Sequence, residues 1–278
     1  MTFKSILLHV AAETSEPEAG PGGYALKLAE TFRAELTALI YELDVVLPKS
    51  VYGRRITADA QAALAVRNSD VQERARLLSE AAARAGVKLE LRTERSFAYT
   101  IPEIVAEQAR LHDLTVSGVD ERGLLSEHAI AEYVLFQSGH PLVVVPASHS
   151  AALCLETIVV AWDYSRVAAR AMTDALPLLR KGREIIIAAF GDDKEMESSL
   201  AREDVISSLR SRGVNARYQQ AERGDRAISE AINTLCVEQG ANLLVMGAYG
   251  HSRFREFILG GATRGVLEKP ALPTFLSH

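Results

Sequence analysis

The sequence predicts an α/β protein made of two tandem open sheets, each five-stranded, mostly parallel and flanked by helices. Three observations carry this expectation. Short apolar runs alternate with amphipathic stretches, the pattern left by strands joined through right-handed helical crossovers. The order of these elements occurs twice, at a period of about 140 residues. Glycines follow a late apolar run and return just before a short helical stretch, as they do where a parallel sheet holds an anion.

The first half opens with SILLHVAAE, residues 5–13, a run with the apolar density of a strand buried on both faces. A helix over 24–34 and a strand over 36–43 follow. The long Ala-rich amphipathic stretch 58–85 ends at Gly86, a helix stop. Next come a strand over 87–92, a helix over 101–111 and a strand over 114–117. After a polar loop and a short helix, the half closes on PLVVVP, residues 141–146.

The second half repeats that order. Strands are expected over 157–162, 184–190, 215–219, 243–246 and 273–276. Helices are expected over 167–179, 198–212, 227–238 and 263–268, the second of them stopped by Gly213. The seam PASHSAAL, residues 146–153, is short, small and polar, which divides the chain into domains 1–148 and 153–278. Its brevity predicts that the halves pack together.

Composition narrows the function classes. A hydrophobic content of 48% with 24% charged residues is that of a globular protein. The net charge of −5 argues against a general nucleic-acid binder, which carries a basic surplus. No apolar run approaches the roughly 18–20 residues needed to cross a membrane, and the N-terminus reads as a first strand and not a signal peptide. Cys154 and Cys236 form neither a metal-ligand pattern nor a disulfide framework, so a reducing cytoplasm is expected.

The segment LLVMGAYGHSRFREFILGGAT, residues 243–263, carries the functional signal. Gly247, Gly250 and the pair Gly260-Gly261 let backbone N–H groups approach a phosphate without Cβ obstruction. Ala262 follows the pair, and Thr263 at the start of the last helix offers a hydroxyl and an N–H to an anion. His251 and Arg253 place positive charge inside the loop; a solvated loop face is the alternative for both, as for Arg255 and Ser252. Asp163 follows the first strand of this half, at the carboxyl edge where open α/β sheets bind ligands. It also stands where an acid caps a helix.

These residues resemble the universal stress protein family, whose nucleotide-binding members carry G-x2-G-x9-G followed by Gly or a small hydroxyl residue. The spacing of Gly247, Gly250, Gly260 and Gly261 fits in full, and VVAWDYS places Asp163 where the family has its acidic contact to adenosine. The resemblance implies a Rossmann-like fold in both halves. It also implies ATP or a related adenine nucleotide in the second half, lined by Ala161, Trp162 and Met246. Family members pair domains through their last strand, which here implies pairing of the two halves and leaves room for a homodimer.

The first half departs from the motif. Ala11 aligns with Asp163, Glu121 stands where Gly250 would be, and counting back from Pro141 puts His128 and Ala129 opposite Gly260 and Gly261. A carboxylate repels phosphate and a Cβ blocks close approach, so this half is expected not to bind ATP in the usual way. A competing fingerprint, G-x-G-x-x-A at Gly20–Ala25 with Asp44 beyond it, is set aside because Pro21 removes an N–H from the anion site. No Walker lysine loop, H-E-x-x-H or G-x-S-x-G occurs. Glu256 is a weak water-mediated magnesium candidate, and no base for ATP hydrolysis is identifiable. The two readings left standing are a regulatory nucleotide binder and a nucleotide-independent interaction or small-ligand carrier protein with a vestigial glycine loop.

Overall fold

The computed structural model describes residues 2–10, 19–44, 53–119, 127–146, 148–149, 153–190, 200–248 and 261–278. The first half runs β1 (Ser5–Val10), α1 (Gly20–Phe32), β2 (Glu35–Asp44), α2 (Gly53–Ala85), β3 (Leu89–Phe97), α3 (Ile101–Ala109), β4 (Leu114–Ser117), α4 (Glu127–Gln137) and β5 (Leu142–Val144). The second runs β6 (Thr157–Ala161), α5 (Arg166–Asp174), α6 (Leu176–Leu179), β7 (Glu184–Phe190) and α7 (Arg202–Ser211). It continues through β8 (Ala216–Ala221), α8 (Ile228–Glu238), β9 (Leu243–Gly247), α9 (Gly261–Glu268) and β10 (Thr274–Ser277).

All ten strands form one sheet in the order β3-β2-β1-β4-β5-β10-β9-β6-β7-β8. Each half contributes five parallel strands in the same relative order, as the doubled sequence pattern predicts. The halves join where β5 meets β10 antiparallel, with Val143 opposite Phe275 and Leu142 opposite Leu276. Antiparallel joining turns the carboxyl ends of the two strand sets toward opposite ends of the molecule.

Alternation along the strands fills both faces of the sheet. Ile6, Leu8, Val143, Ile158, Val160 and Phe275 lie in one buried cluster with side chains of α1, α2, α5 and α7. Leu7, Leu39, Val144, Val159, Met246 and Leu276 lie in the other with α3, α4, α8 and α9. Residues from both halves enter each cluster, so the seam is core and not linker. Phe275 alone, fully buried at the seam, contributes about 2–3 kcal/mol of apolar burial.

Local departures from expectation have local causes. Helix α1 starts at Gly20, with Pro21 in the first turn where its missing N–H costs nothing. The glycines of the competing fingerprint therefore belong to a helix. The single helix expected over 167–179 is two, α5 and α6, because Pro177 cannot donate to the ladder and the chain bends at Ala175. Strand β3 reaches Phe97, since the outer edge of β2 remains to be paired as far as Asp44. Gly86 and Gly213, at φ +66° and +80°, follow α2 and α7 in the left-handed conformation their positions predict.

Candidate functional site

Strands β6 and β9 pair in parallel, Ile158 beside Leu243 and Val160 beside Val245, and leave the sheet in opposite directions. After β6 the chain crosses to α5 on one face; β9 is followed by α9 on the other. This divergence makes a crevice at the carboxyl end of the strands, the place where open α/β sheets bind ligands. Asp163 and Gly247 both lie at its mouth.

The face of the crevice toward α8 and α9 is apolar. Met246 is buried there, and Ala161, Phe190, Ala221, Ile228 and Ala262 are half-buried against the same cluster. Ala161 and Met246 were expected in this lining. Phe190, Ala221 and Ile228 were not, although Phe190 shares a face with Ala188 along β7 and could have been assigned by that alternation.

Trp162 lies elsewhere. Its indole is buried in the cluster on the opposite face, against α5, and packs edge-on to Tyr164 with ring centroids 5.6 Å apart. Its backbone N–H donates to the Ala188 carbonyl at 2.8 Å, and its indole Nε1 has no acceptor among the described residues. One-residue alternation explains the separation: Ala161 faces the other cluster, so its neighbour faces away.

Asp163 is exposed, and its Oδ1 accepts from the Ser165 N–H at 3.0 Å. Ser165 in turn caps α5, its Oγ accepting from the Ala168 N–H at 3.1 Å. Between them Tyr164 adopts φ 60°, a left-handed conformation costing a non-glycine residue about 1–2 kcal/mol. The Tyr164 hydroxyl lies 3.3 Å from that of Tyr218, which holds the turn in place. The second carboxylate oxygen of Asp163 makes no bond to the described residues and stays available as an acceptor.

Gly247 is required by packing. A Cβ there would sit 2.5 Å from the Val167 carbonyl carbon and 2.6 Å from the Ala168 nitrogen, inside the backbone of α5. Beyond it, the Ala248 N–H donates to Ser277 at 2.8 Å and its carbonyl accepts from His278 Nδ1 at 2.8 Å. Gly250, His251, Arg253 and Gly260 lie outside the described residues, as do Ser252, Arg255 and Glu256. Gly261 opens α9, with Ala262 half-buried and Thr263 buried in its first turn. Helix α9 is docked on α8 by Gly265, where a Cβ would meet Ser229 Oγ at 2.3 Å. Cys236 is buried in the same face, and burial pushes its thiol up to about 12, so it is inert core.

The register places a different set at the matching positions of the first half. His9 stands where Ala161 does, Tyr41 where Phe190 does, Thr115 and Ser117 where Leu244 and Met246 do, and Gly118 where Gly247 does. His9 Nδ1 lies 3.2 Å from Ser117 Oγ, and the rings of His9 and Tyr41 are 5.7 Å apart. Here a Cβ on Gly118 would meet not a helix backbone but the Glu127 carboxylate, at 2.2 Å. Glu127 opens α4 and is buried, so an acid occupies the neighbourhood that glycine keeps open in the second half. Nothing in its sequence position signals this beyond the ordinary preference for acids in a first helical turn.

Residues 155–277 match the universal stress protein family, and this half of the chain is a domain of that family. The architecture matches solved structures over nearly the whole chain. A universal stress protein from Archaeoglobus fulgidus DSM 4304 superposes with a TM-score of 0.63 at 17% identity, covering 98% of this chain and 95% of that one. A putative universal stress protein from Pseudomonas aeruginosa UCBPP-PA14 gives 0.57 at 14%, covering 99% and 93%. A functionally unknown protein from Pseudomonas aeruginosa PAO1 gives 0.59 at 12%, covering 99% and 92%. No curated protein sequence matches.

Proposed function

We propose that this chain, whose residues 155–277 form a universal stress protein domain, is a two-domain cytoplasmic stress-response protein. Its C-terminal domain, 153–278, binds ATP or a related adenine nucleotide as a regulatory ligand. The observation that carries this reading is that Asp163, just past the end of β6, and Gly247, the last residue of β9, stand at the carboxyl ends of two paired parallel strands, with Gly247 at the start of a glycine-spaced loop.

In this reading the base lies against Ala161, Phe190 and Met246, and the free oxygen of Asp163 accepts from a ribose hydroxyl. Backbone N–H groups between Gly247 and Thr263 hold the phosphates, Gly250, Gly260 and Gly261 allow their close approach, and His251 and Arg253 offset their charge. Mg²⁺ would accompany the nucleotide as a counter-ion to its phosphates. Binding changes the surface offered to partners, including a second copy of the chain. Domain 1–148 serves as a structural or regulatory partner.

The test is mass spectrometry of small molecules released from the denatured, purified protein, followed by ATP titration read through the single tryptophan, Trp162. Asp163→Ala is expected to weaken ATP by about tenfold, the weight of one hydrogen bond from an ionised acceptor. Gly260→Glu, which sets a carboxylate in the phosphate loop, is expected to weaken it further. Unchanged affinity in both variants overturns the reading. A second reading, a nucleotide-independent carrier or interaction protein, draws support from Gly247 and Asp163 each having a structural duty of its own. It predicts no released nucleotide and no titration.

A further inference from the structure

We propose that the N-terminal half holds a second, chemically distinct ligand site at its own switch point, formed by His9, Tyr41, Thr115 and Ser117, which takes a small uncharged polyhydroxyl molecule. The site follows from polarity at matched positions. Leu7, Leu39, Leu142 and Val144 lie in the buried cluster beneath α3 and α4, and the strand register sets Thr115 between Leu7 and Leu142. His9, Tyr41 and Ser117 extend that face toward the carboxyl end of β1, β2 and β4.

All four side chains are at least nine-tenths buried, and three polar atoms have no hydrogen-bonding partner among the described residues: His9 Nε2, Tyr41 Oη and Thr115 Oγ1. Leaving one such atom unpaired costs about 1–3 kcal/mol, and groups of this kind in a native protein are normally paired with water or a ligand. Three on one face, where the other half has Ala161, Phe190 and Leu244, make a set of donors and acceptors without a counterpart.

The chemistry selects the ligand. Burial holds the His9 ring neutral, with its pKa lowered to about 4, so the set has hydroxyls and an uncharged imidazole. The Glu127 carboxylate against Gly118 disfavours a phosphate at the place where the C-terminal loop begins. The described residues bring no group of three or more His, Cys, Asp or Glu together, which argues against a metal here. The four side chains are almost fully buried, so the ligand is small. Hydroxyl groups, each both donor and acceptor, match such a set.

The probe is ribose, with ribose 5-phosphate as its charged counterpart, added to the full chain. The readout is the imidazole nitrogen resonances of His9 in long-range proton–nitrogen correlation spectra, assigned by their loss in His9→Gln. A saturable shift with ribose is expected, weakened about tenfold by the phosphate and about tenfold in Tyr41→Phe/Thr115→Val, which removes two hydroxyls while keeping shape. No shift at saturating ribose, with the tyrosine and threonine hydroxyls satisfied by ordered water only, overturns the proposal. So does an equal or larger response to ribose 5-phosphate, or an unchanged response in the double variant. ATP binding is followed separately through Trp162, so loss of one site leaves the other legible.

Discussion

The two halves share a strand order and a register and diverge at the end of their central strands. In the second half β6 and β9 end in Ala161 and Gly247 beside Phe190 and Met246; in the first, β1 and β4 lead to His9, Ser117 and Gly118 beside Tyr41. Deeper in the sheet the halves are interchangeable in kind: Ile6 and Ile158, Leu8 and Val160, Leu114 and Leu243 are all buried aliphatics. The difference teaches that the core preserves the fold while the strand ends set the chemistry, since packing constrains only the part of a strand covered on both faces.

The largest expected effect tests whether the halves can be compared as separate units at all. Phe275 is fully buried opposite Val143 at the seam. Phe275→Ala is expected to cost about 3–5 kcal/mol, the range for deleting a buried aromatic ring. Because both halves feed the same clusters, urea unfolding followed by Trp162 fluorescence and by far-ultraviolet circular dichroism should shift together. Two separated transitions would show that the halves unfold independently and that the shared core is weaker than its burial implies.

Matched glycines give the next largest effect. Gly247→Ala drives a methyl into the backbone of α5, which cannot retreat without moving the helix, and should cost about 3 kcal/mol. Gly118→Ala meets only the end of the Glu127 side chain, which can swing aside, and should cost about 1 kcal/mol. Denaturation midpoints of the two variants measure the contrast. Equal losses would mean that Glu127 is held as rigidly as a helix backbone. Substitution of Gly247 therefore reports on folding first, which is why the nucleotide test rests on Asp163 and Gly260.

These pairs also show what a sequence can tell about such a protein. The doubled order of elements and the helix stops at Gly86 and Gly213 follow from local periodicity and chain punctuation and are legible, whereas the end of β3 is set by the strand it pairs with. Joining of the halves was expected from the short seam and the resemblance; its antiparallel register at Phe275 is a tertiary fact. At the candidate site, Ala161 and Met246 join one buried cluster at the carboxyl ends of β6 and β9 and Asp163 follows β6, while the Trp162 side chain joins the cluster on the opposite face, as alternation along the strand dictates. Glu127 and the polar group around His9 were missed. Their significance depends on β1, β2, β4 and the start of α4 converging, and no single window of sequence contains all four.

Acid separates the halves next. The His9 pKa is lowered from 6.5 to about 4 by burial, so the folded state favours the neutral ring. The unfolded chain binds the proton more readily between those values, and stability rises with pH across the window. The contribution is in full force above pH 6.5 and is lost as pH falls toward 4, a loss on the order of 2–3 kcal/mol. His9→Gln, unable to titrate, should flatten that part of the stability profile measured by urea unfolding at closely spaced pH values. A profile equally steep in the variant would assign the acid sensitivity to other groups. None of the described C-terminal residues at the matched positions, Ala161, Phe190 or Met246, titrates in this range.

The smallest effect concerns a single hydroxyl and bears on why the first half is polar. Thr115 is fully buried in the place where the second half has Leu244, and its Oγ1 has no partner among the described residues. Thr115→Val keeps the shape and β-branching of the side chain and removes only the orphaned group. Burying an unsatisfied hydroxyl is unfavourable, so the variant should be more stable than the parent chain by about 1 kcal/mol in ligand-free solution. Calorimetry of the two proteins after exhaustive dialysis reads the sign. A stabilised variant means that the native chain retains a destabilising hydroxyl at a ligand-sized cluster, as selection for binding at the expense of stability would leave it. A destabilised one means that the hydroxyl is already satisfied by water held in the fold, and the polarity of the N-terminal strand ends is then a matter of solvation alone.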